Sequence, residues 1–224
     1  MRVSIYTLGA VMIAAALSAQ QFGPPPPGQQ QIDQQDVVPD EPGRPVARLS
    51  VLSGDASVRR GDAGEWFERA CGRYRESWAD APPGSWGRPI GAIKARLLAG
   101  DWDGAAADAR WALEAGAAEA DSPIGRYAAA LGSLVLDDDA HARVHANAVR
   151  TRDDFPAEVG DALAFLAAHD VDGYTLAVEA VLESFEQRDE YLEDIPVADT
   201  VLVLQTLAAR RGFAAELSSP LLPD

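Results

Sequence analysis

Residues 97–113 read LLAGDWDGAAADARWAL, and residues 166–182 read LAAHDVDGYTLAVEAVL. Aligned without gaps, they share Leu97 with Leu166, Ala99 with Ala168, Asp101 with Asp170, Asp103 with Asp172, Gly104 with Gly173 and Leu113 with Leu182. The offset, 166 − 97 = 69 residues, is two units of about 34, a period of stacked helix–turn–helix repeats. Between the two, 134–149 (LVLDDDAHARVHANAV) has the same sense: an apolar helix end, an acidic turn, then an Ala-rich helix. The chain reads as an all-α fold, an antiparallel α-hairpin repeat stack of about eight helices behind an unrelated leader.

Outward from these stretches, helix signals fill 62–217. Ala70, Tyr74 and Trp78 follow Trp66 at intervals of four, with Phe67 and Cys71 beside them, as one apolar face of a first helix. Ala81-Pro82-Pro83-Gly84 ends it, and a second helix runs over 89–98 and stops at Gly100. Asp101 or Asp103 caps the third helix, and Ser122-Pro123 opens the fourth, with Ile124, Tyr127, Leu131, Leu134 and Val135 inward. Asp137, Asp138 and Asp139 favour the positive start of the fifth. Asp154 and Pro156 open the sixth, and Asp170 or Asp172 the seventh, with Tyr174, Ala177, Val178, Val181, Leu182 and Phe185 inward. Pro196 and Asp199 open the last, with Val201, Leu202, Leu204 and Leu207 inward, and Gly212 ends it. Leu97, Leu131, Val181, Leu182 and Leu204 are expected in the core.

The 224 residues carry 47% apolar side chains, enough for a sizeable core. The net charge is −16, and its placement matters. Residues 1–61 hold five Arg and five acids; residues 62–224 hold 14 basic and 30 acidic groups, and 14 − 30 = −16. The whole excess lies on the helical part. Such a surface repels nucleic acid and suits a basic protein partner. Adaptation to high salt gives the same composition. Cys71 is the only cysteine, so no internal disulfide is possible.

The leader divides into three. Met1-Arg2, the apolar run 3–17 and Leu17-Ser18-Ala19 form a signal peptide over 1–19, too short and Ala-rich for a stable membrane span. Residues 20–44 are Gln- and Pro-rich and are expected to be a disordered linker. Residues 45–61 hold Val46, Leu49, Val51 and Val58 in short β-type runs, a strand segment ahead of the acidic helical domain 62–224. Export to the periplasm or outside follows if the leader is used; otherwise the chain is cytoplasmic.

Three resemblances follow from particular residues. The stretch 46–57, VARLSVLSGDAS, followed by Val58, resembles the opening of secreted FecR-like proteins, with Trp66 at the end of the run. Gly100, Trp102, Ala105, Ala109, Ala112 and Leu113 resemble the turn and second helix of a tetratricopeptide repeat. Pro89, Ala92, Ile93 and Arg96 depart from the first helix of that motif. Residues 174–223 resemble the end of a helical immunity-protein family of polymorphic toxin systems, number forty-nine: a charged helix, an apolar helix ending in Arg-Gly, then a Ser-x-x-Leu-Pro tail. That resemblance implies a non-enzymatic binding protein neutralising a toxin. The leader's resemblance implies instead an exported envelope protein with a structural or interaction role.

Few residues carry chemistry. His141 and His145 share a helix face, with Asp137, Asp138 and Asp139 one turn upstream. There is no Glu after His141 to complete a zinc-protease signature, so a solvated face is the reading taken and no metal is expected. No serine sits in a nucleophile elbow, Cys71 has no nearby His in sequence, and Gly-rich phosphate loops are absent, so neither an enzyme nor a cofactor is expected. Glu179, Glu183, Glu186 and Glu190 are spaced four, three and four along the seventh helix. They form an acidic strip suited to a basic partner; the same pattern is also that of an ordinary wet helix face.

Overall fold

The computed structural model describes residues 3–4, 57–58, 60–191 and 196–222, with side chains for 67–191 and 196–222. Apart from Val3–Ser4 (β1) and Ser57–Val58 (β2), which pair antiparallel with Val3 opposite Val58, the expected signal peptide, linker and strand segment up to residue 59 lie outside the described residues. Eight α-helices follow: α1 (Arg60–Trp78), α2 (Gly87–Ala99), α3 (Trp102–Glu114), α4 (Pro123–Val135), α5 (Asp139–Arg150), α6 (Ala157–Ala168), α7 (Val171–Glu186) and α8 (Asp199–Arg210), with a 3-10 turn at Ala117–Glu119. Among the described residues, no helix is long and apolar enough to cross a membrane.

The three stretches that share a sequence pattern make turns of one geometry. The residue after α2, α4-Leu136 and α6 is left-handed at Gly100 (φ 76°), Asp137 (φ 57°) and His169 (φ 55°). An Asp follows each: Asp101, Asp138 and Asp170. Their backbone N–H groups reach back to the carbonyls of Arg96, Ser133 and Phe165, closing the old helix. Their side chains accept from the N–H of Gly104, His141 and Gly173, opening the next helix. One Asp thus caps each new helix in a connection of two or three residues. Connections that short turn each pair into an antiparallel hairpin.

Each helix packs on its sequence neighbours, and α2 also meets α4, and α4 meets α6. The even-numbered helices therefore form an inner layer, with α3, α5 and α7 outside. Small residues permit the close approach: Ala105, Ala109 and Ala112 on α3 and Ala128, Ala129 and Ala130 on α4 are wholly buried. Leu97, Leu131, Val181, Leu182 and Leu204 are buried, as the periodicity implies. Each such leucine contributes roughly 1.5–3 kcal/mol of transfer free energy. Ile124 and Leu202 are only half-buried. On α1, Phe67 and Cys71 lead the contact, while Ala70, Tyr74 and Trp78 are half-buried at its side.

The last helix changes the architecture. α8 does not simply extend the stack: it packs against α2 and α6 as well as α7. Its start lies by α1, where Val197 joins Phe67, Cys71 and Ala95. Just past its end, Arg211 donates to the Leu134 carbonyl at the end of α4. α8 therefore crosses the inner layer and closes it, which explains why seven of its twelve residues are buried, Asp199 and Thr200 included. Gly212 (φ 83°) then turns the chain back. Residues 213–222 follow without regular structure, and their exposure alternates along 213–220, the period of an extended chain.

Candidate binding surface

α7 has two unlike faces because its sequence does. Tyr174, Ala177, Val178, Val181, Leu182 and Phe185 recur at helical spacing and are buried. Asp172, Leu176, Glu179, Ala180, Glu183, Glu186 and Gln187 fall opposite and are exposed. α7 is an outer helix, so this face meets solvent. Leu176 is 70% exposed, the most open large apolar side chain of the described residues. Val144, six residues after the capping Asp138 as Leu176 is six after Asp170, is 62% exposed on α5.

Of the four glutamates read from the sequence, Glu179, Glu183 and Glu186 stand together on this face. Glu190 does not: α7 ends at Glu186. The end has a local cause. The Phe185 carbonyl accepts from the Arg188 N–H and the Tyr191 hydroxyl, and the Arg188 guanidinium lies 3.7 Å from the Phe185 ring centroid. The chain folds back there, leaving Glu190 exposed beyond the helix. Glu183 Oε1 accepts from Gln187 (3.0 Å), and Glu186 Oε1 accepts from the Ser219 hydroxyl (2.6 Å). Among the described residues no Lys, Arg or His pairs with any of the four.

The other candidates are structural. His141 is open to solvent, its Nδ1 2.7 Å from Asp138 Oδ2. His145 is buried, and its Nδ1 has no partner. The shared helix face therefore does not make a shared site, and among the described residues no group of three His, Cys, Asp or Glu side chains is placed to hold a metal. Burial holds His145 below the usual histidine range; Arg126 and His141 push the same way, against Glu119 and Asp138. Cys71 donates to the Ala92 carbonyl (3.5 Å), and burial pushes its thiol up to about 11, far from a reactive thiolate. His169 pairs through Nε2 with Asp139 (2.8 Å), which also receives Arg211 (2.8 Å). This group ties the end of α8 to the turns before α5 and α7.

Sequence reasoning missed one centre. Lys94 is 1% exposed and donates to Asp199 Oδ2 (2.9 Å) and the Thr200 hydroxyl (3.1 Å) across 105 residues of chain. Its ammonium sits 5.9 Å from the Tyr127 ring centroid. Burial alone would discharge it; Asp199 and Tyr127 outweigh burial, and Lys94 stays charged above its ordinary range. A signal existed: Lys94 falls on the stripe of Ile90, Ile93 and Leu97, where a solvated lysine has no place. A second buried acid, Asp108, holds Arg75 (2.6 Å to its Nε) and lies 3.6 Å from Arg96 Nε, which itself donates nothing at that nitrogen.

No protein-family model, curated protein or solved structure matches this chain.

Proposed function

We propose that the protein is a non-enzymatic protein-binding module whose outer α7 face receives a basic partner. One observation carries this reading: Glu179, Glu183 and Glu186 stand exposed in a row beside Leu176, with no cation of the described residues against them. An exposed leucine among carboxylates offers an apolar anchor inside a charged rim, the composition of a docking patch. The crossing of the inner layer by α8 supports the same conclusion. The face that a helical-repeat stack offers to ligands is occupied from within, and recognition falls to the outside. Neutralisation of a basic toxin, as the C-terminal resemblance implies, is the form of this function we favour.

The test uses salt and charge reversal. Exposed charges are screened over about 8–10 Å at ordinary ionic strength. Capture of a basic partner should weaken as salt rises, chiefly through a slower on-rate. Glu183→Lys with Glu186→Lys should abolish that salt dependence and lower the affinity while the melt stays within about 1 kcal/mol of wild type. A double variant that keeps every partner and melts higher in low salt makes the strip a solvated face only.

A further inference from the structure

We propose that the seam between α7 and α8 is a seat for an extended peptide bearing a basic residue, filled in the free chain by its own residues 213–222. The proposal rests on the reading of the α7 face as acidic docking surface and goes beyond it by naming the shape and register of what binds.

The arm is held as a peptide ligand is held. The side-chain amide of Gln205 on α8 makes both main-chain bonds to one residue of the arm: Nε2 donates to the Ala215 carbonyl (2.6 Å), and Oε1 accepts from the Ala215 N–H (3.1 Å). Tyr174 on α7 donates to the same Oε1 (2.9 Å) and fixes the amide. This clamp reads backbone and is indifferent to the side chain at 215. Alternate side chains then do the selecting, as when extended peptides dock through main-chain bonds and pockets for every second residue. Phe213 stacks edge-on to Tyr174 at 5.6 Å; Ala215 and Leu217 pack on the core; Leu221 is buried, and its carbonyl accepts from the Ala198 N–H at the start of α8. The arm meets α7 at Tyr174 and again at Glu186. Twelve helical residues span about 18 Å, and six extended residues about 20 Å, so the arm runs the length of the helix.

Charge argues that this occupant is a placeholder. At the far end, among the described residues, Glu186 receives only the Ser219 hydroxyl. The arm, FAAELSSPLL, has no basic residue and adds Glu216 to an already acidic surface. A peptide of the same alternation with Lys or Arg at the place of Ser219 would give Glu186 a full opposite charge in place of a hydroxyl donor, adding ion-pair attraction to the hydrogen bond. The resident arm competes through its tether at Gly212 rather than through better contacts.

Fluorescence anisotropy with labelled synthetic peptides of 213–222 tests this, using the unsubstituted sequence and one with Ser219→Lys. The hosts are the full chain and the full chain with Ala215→Pro, which deletes the N–H that Gln205 accepts from. The freed chain should bind the lysine peptide at least about tenfold more tightly than wild type does, since one or two net hydrogen bonds of the competitor are gone. Adding Glu186→Gln should erase the preference for lysine over serine. Should Ala215→Pro lose helical circular dichroism, Phe213→Ala with Leu217→Ala frees the arm by removing two anchors, and the same gain is expected. A folded, arm-freed chain that binds neither peptide better than wild type makes the seam mere packing and overturns the proposal, leaving the acidic face untouched. Equal binding of both peptides also overturns it, because the seat would then suit the arm of a second copy, and it removes the acidic face as the selecting element.

Discussion

The residue with most at stake is Lys94, the chain's single lysine, sealed against Asp199 at 1% exposure on both sides. Breaking a buried pair from one side leaves a bare charge, so Lys94→Met and Asp199→Ala should each cost about 3–5 kcal/mol. Lys94→Met together with Asp199→Leu should recover most of that, because an apolar pair of similar volume has no desolvation to offset. Denaturant midpoints of the three variants decide it; equal losses in single and double variants would mean that the ion pair stabilises the fold beyond what an apolar pair supplies. His145 gives the pH counterpart. Its folded-state pKa lies below the ordinary value, so the unfolded chain takes the proton first. Its contribution is complete above about pH 6.5 and is lost as the pH falls below that toward the folded value. Urea midpoints should drop between about pH 7 and pH 5.5, with part of that drop absent in His145→Leu; the slope from one group cannot exceed about 1.4 kcal/mol per pH unit.

At the scale of elements, the aspartate turns carry the argument. Asp170→Ala should cost about 1 kcal/mol, the usual worth of a helix N-cap. Asp101→Ala should cost more, because Asp101 also receives Arg96 at 2.7 Å. Gly104→Ala should act like the loss of that cap, since a Cβ there would lie 2.2 Å from Asp101 Oδ2 and must displace it. Thermal melts of the three, ranked, check this; an Asp170→Ala protein as stable as wild type would show that packing alone sets the turn. The turns are legible because an Asp before a helix has one dominant local use; the structure makes the choice between Asp101 and Asp103, among Asp137, Asp138 and Asp139, and between Asp170 and Asp172. Asp154 and Asp199 look the same in sequence and are used otherwise. Asp154 makes a two-bond pair with Arg152, and Pro156 stands in the capping position before α6, which has no side-chain cap; Asp199 turns inward to Lys94. Glu190 misled in another way, because periodicity cannot show that Arg188 and Tyr191 close the helix early.

For the whole molecule, α8 is the decisive element, since it crosses the inner layer and contacts α2, α6 and α7. A chain ended at residue 195 should keep most of its helix by far-ultraviolet circular dichroism yet bind ANS and lose its sharp melt, the marks of lost fixed packing. A truncated chain that melts as sharply as the full one and binds no dye would place α8 outside the cooperative unit. The acidic face is a property of the same scale: α7 presents it because α6 and α8 cover the other sides.

The sequence alone determined the helical class, the order and near-boundaries of the helices, the aspartate turns and the five core residues Leu97, Leu131, Val181, Leu182 and Leu204, because each is written in local spacing: a 3.6-residue stripe, a cap, a breaker. It also placed Glu179, Glu183 and Glu186 on a wet face, for the same reason. Only the tertiary structure decided that α8 lies across the inner layer, that Lys94 meets Asp199, that Gln205 grips Ala215 and that Ser219 reaches Glu186. Those pairings join residues 10 to 105 apart in the chain, and no periodicity records them. They depend on which apolar stripes find one another when the chain collapses, and that choice is made by packing over the whole core.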